Sequence, residues 1–202
     1  ITMGFLIIII FIAIFLAAII FIAKNTDFSE DTTEQEKQRA GKIGEIAATR
    51  EIKSVLRDED LLFNNIKISL NDKSAELDNV IVNKFGVFII EVKNYNGCLY
   101  GDEDDYEWIK YKDDGYGNTF KKRVRNPIKQ VKRQVYILSK YLDYYGSRVW
   151  VKGYAMLVRG NSPVHSTYIL QNIDDIDRVI HTMGKNCLSR EQVESIAKLI
   201  RQ

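Results

Sequence analysis

The first 23 residues of the 202-residue chain contain no charged side chain. The run ITMGFLIIIIFIAIFLAAIIFIA is apolar throughout, and all 29 Lys and Arg and all 27 Asp and Glu residues fall in residues 24–202. A helix rises about 1.5 Å per residue, so this run is long enough to cross a hydrocarbon core of roughly 30 Å. A helix that is apolar on every side is typical of a membrane span. The run predicts one N-terminal transmembrane helix over residues 1–23.

A cleaved signal peptide, which would release a secreted or surface protein, is the alternative interpretation of this run. The apolar part of a signal peptide usually measures about 7–15 residues, follows a positively charged start and precedes a small-residue cleavage site. Here the run is longer, no Lys or Arg precedes it, and Lys24 follows it. Because the positive-inside rule counts Lys and Arg beside the membrane, Lys24 favours a single-pass protein whose C-terminal part is cytoplasmic.

The rest of the chain alternates helical and strand patterns. Residues 24–36 are polar and acidic and predict a linker, and residues 37–202 predict one α/β domain with a mixed sheet flanked by helices. The expected elements are a helix over 37–57 with Ile43, Ala47, Ile52 and Val55 on its buried face, strands over 61–70, 76–83, 87–93, 149–158 and 167–171, strand character near 98–100 and 108–112, a loop over 113–120, and helices beginning after Asn126 and Ser189. The short connector over residues 84–86 predicts that the second and third strands form an antiparallel hairpin.

The strand over residues 87–93 contains a carboxylate and an ammonium in an otherwise apolar sequence. Side chains alternate along a strand, so Glu91 and Lys93 share one face with Val87 and Ile89. Charged groups on such a strand are costly to desolvate unless they are paired. A surface ion pair on an edge strand is the alternative interpretation, but the strand is more apolar than an edge strand usually is.

Asp78 is predicted to lie close to this pair. A register centred on the connector over 84–86 places Asp78 opposite a position near Val92, beside both Glu91 and Lys93. Two carboxylates that converge beside a lysine predict a hard-oxygen site for Mg²⁺. A metal held there can polarise a phosphate and lower the pKa of a bound water, and the lysine can stabilise negative charge on the phosphate. The alternative for Asp78 alone is a solvated acid near a turn.

Asp78 followed by Glu91-x-Lys93 resembles the Asp…(Asp/Glu)-x-Lys pattern of the PD-(D/E)xK nuclease superfamily, and the surrounding segments resemble its nuclease-related domain (NERD) family. The matching segments are Gly41-Lys42-Ile43-Gly44-Glu45, Glu76-Leu77-Asp78-Asn79-Val80, Val87-Phe88-Ile89-Ile90-Glu91-Val92-Lys93-Asn94 and Asn126-Pro127-Ile128-Lys129-Gln130. The resemblance covers residues 37–145. Leu77 stands where the name of the superfamily puts Pro.

The resemblance implies a restriction-endonuclease-like core and metal-dependent cleavage of phosphodiester bonds, with Mg²⁺ or Mn²⁺ as the cofactor. It implies that Asp78, Glu91 and Glu45 are metal ligands, that Lys93 is the catalytic lysine, and that Gln130 reaches the site from the second long helix. Gln130 borders the apolar stripe of that helix, so it could face the sheet. The alternative for both Gln130 and Glu45 is a solvated position on a helix surface.

Residues 110–133 are rich in Lys and Arg, with Tyr111, Tyr116 and Phe120 between them. Basic side chains interleaved with aromatic rings are typical of surfaces that bind nucleic acid. The residues predicted to bind nucleic acid are Lys121, Lys122, Arg123, Arg125, Lys129, Lys132 and Arg133. A solubilising surface loop and a contact with the membrane surface are the alternatives.

Other common chemistries lack a motif in this sequence. It contains no P-loop, GxGxxG or GxSxG pattern, so neither a nucleotide cofactor nor a nucleophilic hydrolase is indicated. No CxxC pair is available for a zinc ribbon. The leading hypothesis is a membrane-anchored, metal-dependent nuclease acting on DNA, with RNA as the other candidate substrate. The alternative is a non-catalytic module on the same fold that serves as a membrane-tethered nucleic-acid binder or scaffold.

Overall fold

The computed structural model describes residues 35, 38, 39, 41–113, 119–182 and 187–201. The chain divides into two compact units, Ile1–Lys42 and Ile43–Gln202. The predicted transmembrane helix and nearly all of the predicted linker lie outside the described residues. Within the described ranges, no helix combines the length and the apolar character that crossing a bilayer requires.

The second unit is a mixed α/β domain, as the sequence predicts. Its elements are α1 (41–55, beginning in the first unit), β1 (Leu61–Leu70), β2 (Lys73–Asn83), β3 (Gly86–Lys93), β4 (Cys98–Tyr100), β5 (Glu107–Asp113), β6 (Thr119–Arg125), α2 (Pro127–Tyr144), β7 (Val151–Leu157), β8 (Ile169–Leu170), α3 (Ile173–His181) and α4 (Arg190–Ile200). Five strands form one sheet in the order β1-β2-β3-β7-β8, and β4-β5-β6 form a second sheet. In the larger sheet, β3 pairs antiparallel with β2 and parallel with β7, so the sheet is mixed.

The predicted hairpin over β2 and β3 is confirmed. Its ladder runs from Asn83 opposite Gly86 to Asn79 opposite Ile90. Because β3 lies between β2 and β7, both of its faces are buried, and every residue from Gly86 to Val92 is buried. A strand buried on both faces requires a nearly continuous apolar sequence, which explains why the polar Glu91 is exceptional there.

Helices cover both faces of the larger sheet. On one face, Leu138 of α2 and Ile196 of α4 pack with Val87 and Ile89. On the other face, Ile52 of α1 and Ile176 of α3 pack with Phe88, Ile90 and Val92. The predicted start of α2 is confirmed, since the Asn126 side chain accepts a hydrogen bond from the Ile128 amide and Pro127 occupies the first turn.

The strand β6 and the helix α3 differ from the sequence predictions, whereas β4 and β5 lie where strand character was predicted. Residues 119–125 form the strand β6, although the sequence predicted a loop over 113–120 and no strand after it. The sequence of β6 shows no apolar alternation of its own that would predict a strand. The strand forms because it pairs with β5, where Val124 lies opposite the buried Trp108. The helix α3 was not predicted because it has nine residues, of which only Ile176 and Ile180 are buried.

The buried face of α1 is rotated from the predicted one. Ile43 and Ala47 are exposed, contrary to the prediction, and Ala48 is buried in their place. Ile52 is buried and Val55 packs partly buried against the same core, as predicted. The close approach of Gly44 to Asn94, just after β3, explains the rotation: a Cβ added at Gly44 would lie 2.7 Å from the Asn94 Cβ. Only glycine allows α1 to pack this closely.

We expect Gly44→Ala to lower the free energy of unfolding by about 1–3 kcal/mol, which is the usual effect of overpacking. Gly41→Ala is the matched control, because a Cβ at Gly41 meets no described heavy atom within 4 Å. It should instead stabilise the helix by roughly 1 kcal/mol. Urea denaturation of both variants measures the difference, and equal stability of the two variants would show that Gly44 does not pack on Asn94.

Candidate active site

Glu91 is the buried centre of the site. It lies near the carboxyl end of β3 and is 1% exposed. Its side chain points to the α2 side of the sheet, the face it shares with Val87 and Ile89, as the alternation predicts. Glu91 Oε1 accepts hydrogen bonds from Lys93 Nζ and from Gln130 Nε2, both at 2.5 Å. The other carboxylate oxygen, Oε2, accepts a hydrogen bond from Gln134, so both oxygens have donors.

Two glutamines of α2 hold this carboxylate from the helix side. Gln130 bonds to Oε1, and Gln134 Nε2 donates to Glu91 Oε2 at 2.6 Å and to the Glu76 carbonyl at 2.9 Å. Sequence reasoning identified Gln130 and missed Gln134. The spacing contained the signal, because residues four apart on a helix share a face. Gln134 Oε1 is buried and has no hydrogen-bond partner among the described residues.

Asp78 lies beside Glu91 at the start of the β2–β3 pairing. Its Oδ2 accepts a hydrogen bond from the Val92 amide at 2.8 Å, which places it where the predicted register expects it. Burial and the negative charge of Glu91 raise the pKa of Asp78 to about 7, although the Val92 amide and Lys93 act in the opposite direction. The Asp78 carboxyl is therefore partly protonated at neutral pH.

Lys93 is the cation of the site. Burial alone would lower the pKa of Lys93, but the attraction of Glu91 outweighs it and holds the pKa above its ordinary value. Tyr95 lies close enough to Lys93 and Glu91 for both charges to act on its pKa. Burial raises the pKa of the Tyr95 hydroxyl, which donates to the Arg125 carbonyl at 3.2 Å. Lys93 therefore carries a full positive charge next to two carboxyl groups.

Glu45, on α1, lies within electrostatic reach of Asp78. It is half-buried and contributes to the raised pKa of Asp78. Two contacts position this helix: the packing of Gly44 on Asn94 and a hydrogen bond of 3.0 Å from Thr49 Oγ1 to Asn79 Oδ1. The structure thus brings Glu91, Lys93 and Gln130 into direct contact, with Asp78 and Glu45 within electrostatic reach of one another and Asp78 within reach of Glu91 and Lys93.

The donor set fits a hard divalent cation in its chemistry. Glu91 and Asp78 lie within electrostatic reach of Lys93, and Glu45 adds a third carboxyl group within reach of Asp78. Carboxylate and amide oxygens are the ligands that Mg²⁺ and Mn²⁺ prefer. The described residues hold no group of three His, Cys, Asp or Glu side chains already arranged as ligands. Asp78 and Glu91 are the two carboxylates that lie next to each other.

The predicted nucleic-acid-binding residues fall into separate groups. Lys121, Lys122, Arg123 and Arg125 lie on β6, a strand rather than the predicted loop, and all four are exposed. On α2, Lys129 and Lys132 pair with acids of the loop before β5: Lys129 Nζ is 3.1 Å from Asp104 Oδ1, and Lys132 Nζ is 3.2 Å from Glu103 Oε1. Arg133 is exposed on α2. Tyr116 lies outside the described residues.

The raised pKa of Asp78 predicts how stability depends on pH. The folded protein keeps the Asp78 proton up to about pH 7, whereas an unfolded Asp loses it near 3.8. This contribution to stability is therefore present below pH 3.8 and is lost as the pH rises to about 7. In Asp78→Asn the side chain is neutral throughout, so the decline in stability over this range should be smaller.

Urea denaturation across this pH range, in EDTA, measures the effect. Asp72→Asn removes an exposed acid from the turn between β1 and β2 and should keep the wild-type slope. An unchanged slope in Asp78→Asn would show that Asp78 is an ordinary acid.

Comparison with known proteins relates the chain to one family. The model of the nuclease-related domain family (NERD) matches residues 40–158. An uncharacterized protein of Bacillus anthracis is 27% identical over 71 residues, which are 35% of this chain and 34% of that protein. The match thus spans about a third of that relative, and no solved structure matches the chain. Because the family model covers more than half of the sequence, the chain belongs to the nuclease-related domain family, a member of the PD-(D/E)xK nuclease-like superfamily.

Proposed function

We propose that the chain hydrolyses phosphodiester bonds in nucleic acid, with DNA as the first substrate and RNA as the second, and with Mg²⁺ or Mn²⁺ as its cofactor. The observation that carries this proposal is the buried Glu91 carboxylate, paired with Lys93 at 2.5 Å and adjacent to Asp78. A buried charged cluster of this kind is a costly arrangement for a structural role alone. Membership in a nuclease-related family supports the same conclusion.

Each side chain has a role in this proposal. Asp78 and Glu91 would hold the cation, with Glu45 as a third carboxylate, and a bound divalent cation supplies Lewis-acid polarisation of a phosphoryl oxygen and an acidified water. Lys93 would bind a phosphate oxygen and stabilise the negative charge that grows on it during cleavage. Gln130 would orient Glu91 through its hydrogen bond to Oε1.

We expect Lys93→Met and Glu91→Gln to lower the cleavage rate at least about 100-fold, since each removes charge from the reacting centre. The assay uses the full chain with plasmid and single-stranded substrates, in Mg²⁺, Mn²⁺ or EDTA. Lys67→Met is the matched control: Lys67 is 78% exposed and pairs with Glu76 on the surface at 3.7 Å. It should cleave at the wild-type rate.

Circular dichroism separates a loss of chemistry from a loss of fold in these variants. Cleavage that persists in folded Lys93→Met and Glu91→Gln would exclude this site. Binding of nucleic acid without cleavage in any metal would support the alternative, a non-catalytic binding or scaffold module on the same fold.

We further propose that residues 1–23 anchor the chain as a single transmembrane helix and that the nuclease-related domain is cytoplasmic. The uncharged run and Lys24 directly after it support this arrangement. The full chain should remain in the membrane fraction after an alkaline wash. Protease added to the outside of intact cells should leave the domain uncut, and cleavage of the domain under these conditions would reverse the orientation.

A further inference from the structure

One face of the second sheet combines aromatic and basic side chains. In antiparallel strands, directly opposite residues point to the same side. Tyr111 lies opposite Cys98 and Lys121, and Ile109 lies opposite Tyr100 and Arg123. Arg125, opposite Glu107, continues the same row of β6. We name this surface, formed by Tyr100, Ile109, Tyr111, Lys121, Arg123 and Arg125, the aromatic–basic face.

The aromatic–basic face points away from the core of the domain. The opposite face of the same sheet carries Leu99 and Trp108, which are buried against Ile128 of α2 and Leu157 of β7. Because neighbouring positions on a strand alternate, the aromatic–basic face is directed outward. Lys121, Arg123 and Arg125 are accordingly exposed. Phe120 and Lys122 belong to the other face, so Phe120 is not part of this surface.

Two tyrosines, the exposed Tyr100 and the half-buried Tyr111, form an aromatic pair on this face. The rings of Tyr100 and Tyr111 are 5.3 Å apart and nearly perpendicular, at 88°. Tyr100 is 58% exposed, although β4 places it in a regular strand. An accessible ring held by a neighbour in a fixed orientation is suited to stacking on a planar base.

The cations beside this pair are regularly spaced. Lys121, Arg123 and Arg125 follow one another at every second position of β6, so they are about 6.8 Å apart along the strand. That interval resembles the distance between successive phosphates of an extended strand. Arg123 has a carboxylate partner, Glu107, at 3.6 Å, but both groups are exposed, so water screens this pair.

The row of cations leads to the candidate active site. The carbonyl of Arg125 accepts the hydrogen bond from the Tyr95 hydroxyl, and Tyr95 lies within electrostatic reach of Lys93 and Glu91. Asn126 follows directly and begins α2, the helix that presents Gln130 to Glu91. A strand held along β6 would therefore run toward the carboxylates.

We propose that the aromatic–basic face binds single-stranded nucleic acid and directs it to the site, an inference that rests on the proposed nuclease function. Two or three nucleotides would place their phosphates along Lys121, Arg123 and Arg125 and stack bases on Tyr100 and Tyr111. A duplex offers phosphates but keeps its bases stacked on one another. The tyrosine pair therefore discriminates between single-stranded and double-stranded substrates, whereas the cations alone do not.

Fluorescence anisotropy in EDTA tests this proposal, because it measures binding whether or not the chain cleaves. The probes are a labelled single-stranded oligothymidylate and a labelled duplex of the same length, with the full chain. Wild type should prefer the single strand. Tyr100→Ala should weaken single-strand binding roughly tenfold and leave duplex binding unchanged, while Tyr100→Phe should retain the wild-type affinity because it keeps the ring. Arg125→Ala should weaken binding of both probes. It should also lower the salt dependence of the binding affinity by the amount expected for about one phosphate contact.

Tyr144→Ala is the matched control. Tyr144 is 69% exposed and packs on Tyr145 with ring centres 5.1 Å apart at 89°, which reproduces the geometry of the proposed pair at the far end of α2. Loss of the Tyr144 ring should change neither the affinity for the single-stranded probe nor that for the duplex. Equal affinity for both probes, or an equal effect of Tyr100→Ala on both, would overturn the inference. Selective single-strand binding in a chain that cleaves nothing would uphold it and overturn the proposed hydrolysis.

Discussion

The burial of one carboxylate on the central strand constrains the rest of this domain. Glu91 lies on β3 between β2 and β7, where water does not reach it, and an unpaired charge there would be strongly destabilising. Lys93 supplies the countercharge, and the two glutamines of α2 supply the remaining hydrogen bonds. The helix α2 must therefore lie over this part of the sheet, because its two glutamines stabilise the buried Glu91 carboxylate.

The parts of the fold that were predictable from sequence are those with local causes. The β2–β3 hairpin follows from two apolar runs joined by a short connector, and the start of α2 follows from Asn126 and Pro127. In contrast, β6 forms because β5 pairs with it, and the short α3 is stabilised by burying two isoleucines against the sheet. Interactions between distant segments decide these elements, and a single sequence contains no direct record of them.

The same distinction holds within the site. Alternation along β3 and the expected register place Asp78 near Val92, which the hydrogen bond between them reproduces. Gln134 could have been inferred from its distance to Gln130 along the helix. Two ion pairs could not have been inferred from the sequence, because they depend on how the loop before β5 folds back on α2. They join Lys129 to Asp104 and Lys132 to Glu103. The basic stretch is thus less uniformly available to anions than its composition indicates.

The sequence separation of the contacts around Glu91 has a kinetic consequence. Gln130 is 39 residues from Glu91 and Gln134 is 43, and these bonds form only when the crossover from β3 through the second sheet and α2 has closed. Contacts of this length are slow to form because the intervening chain must be ordered first. A nascent chain that ends before α2 has its acidic residues but lacks the amides that hold them. The candidate site would be assembled late in folding, so an incompletely synthesised chain would not yet contain it.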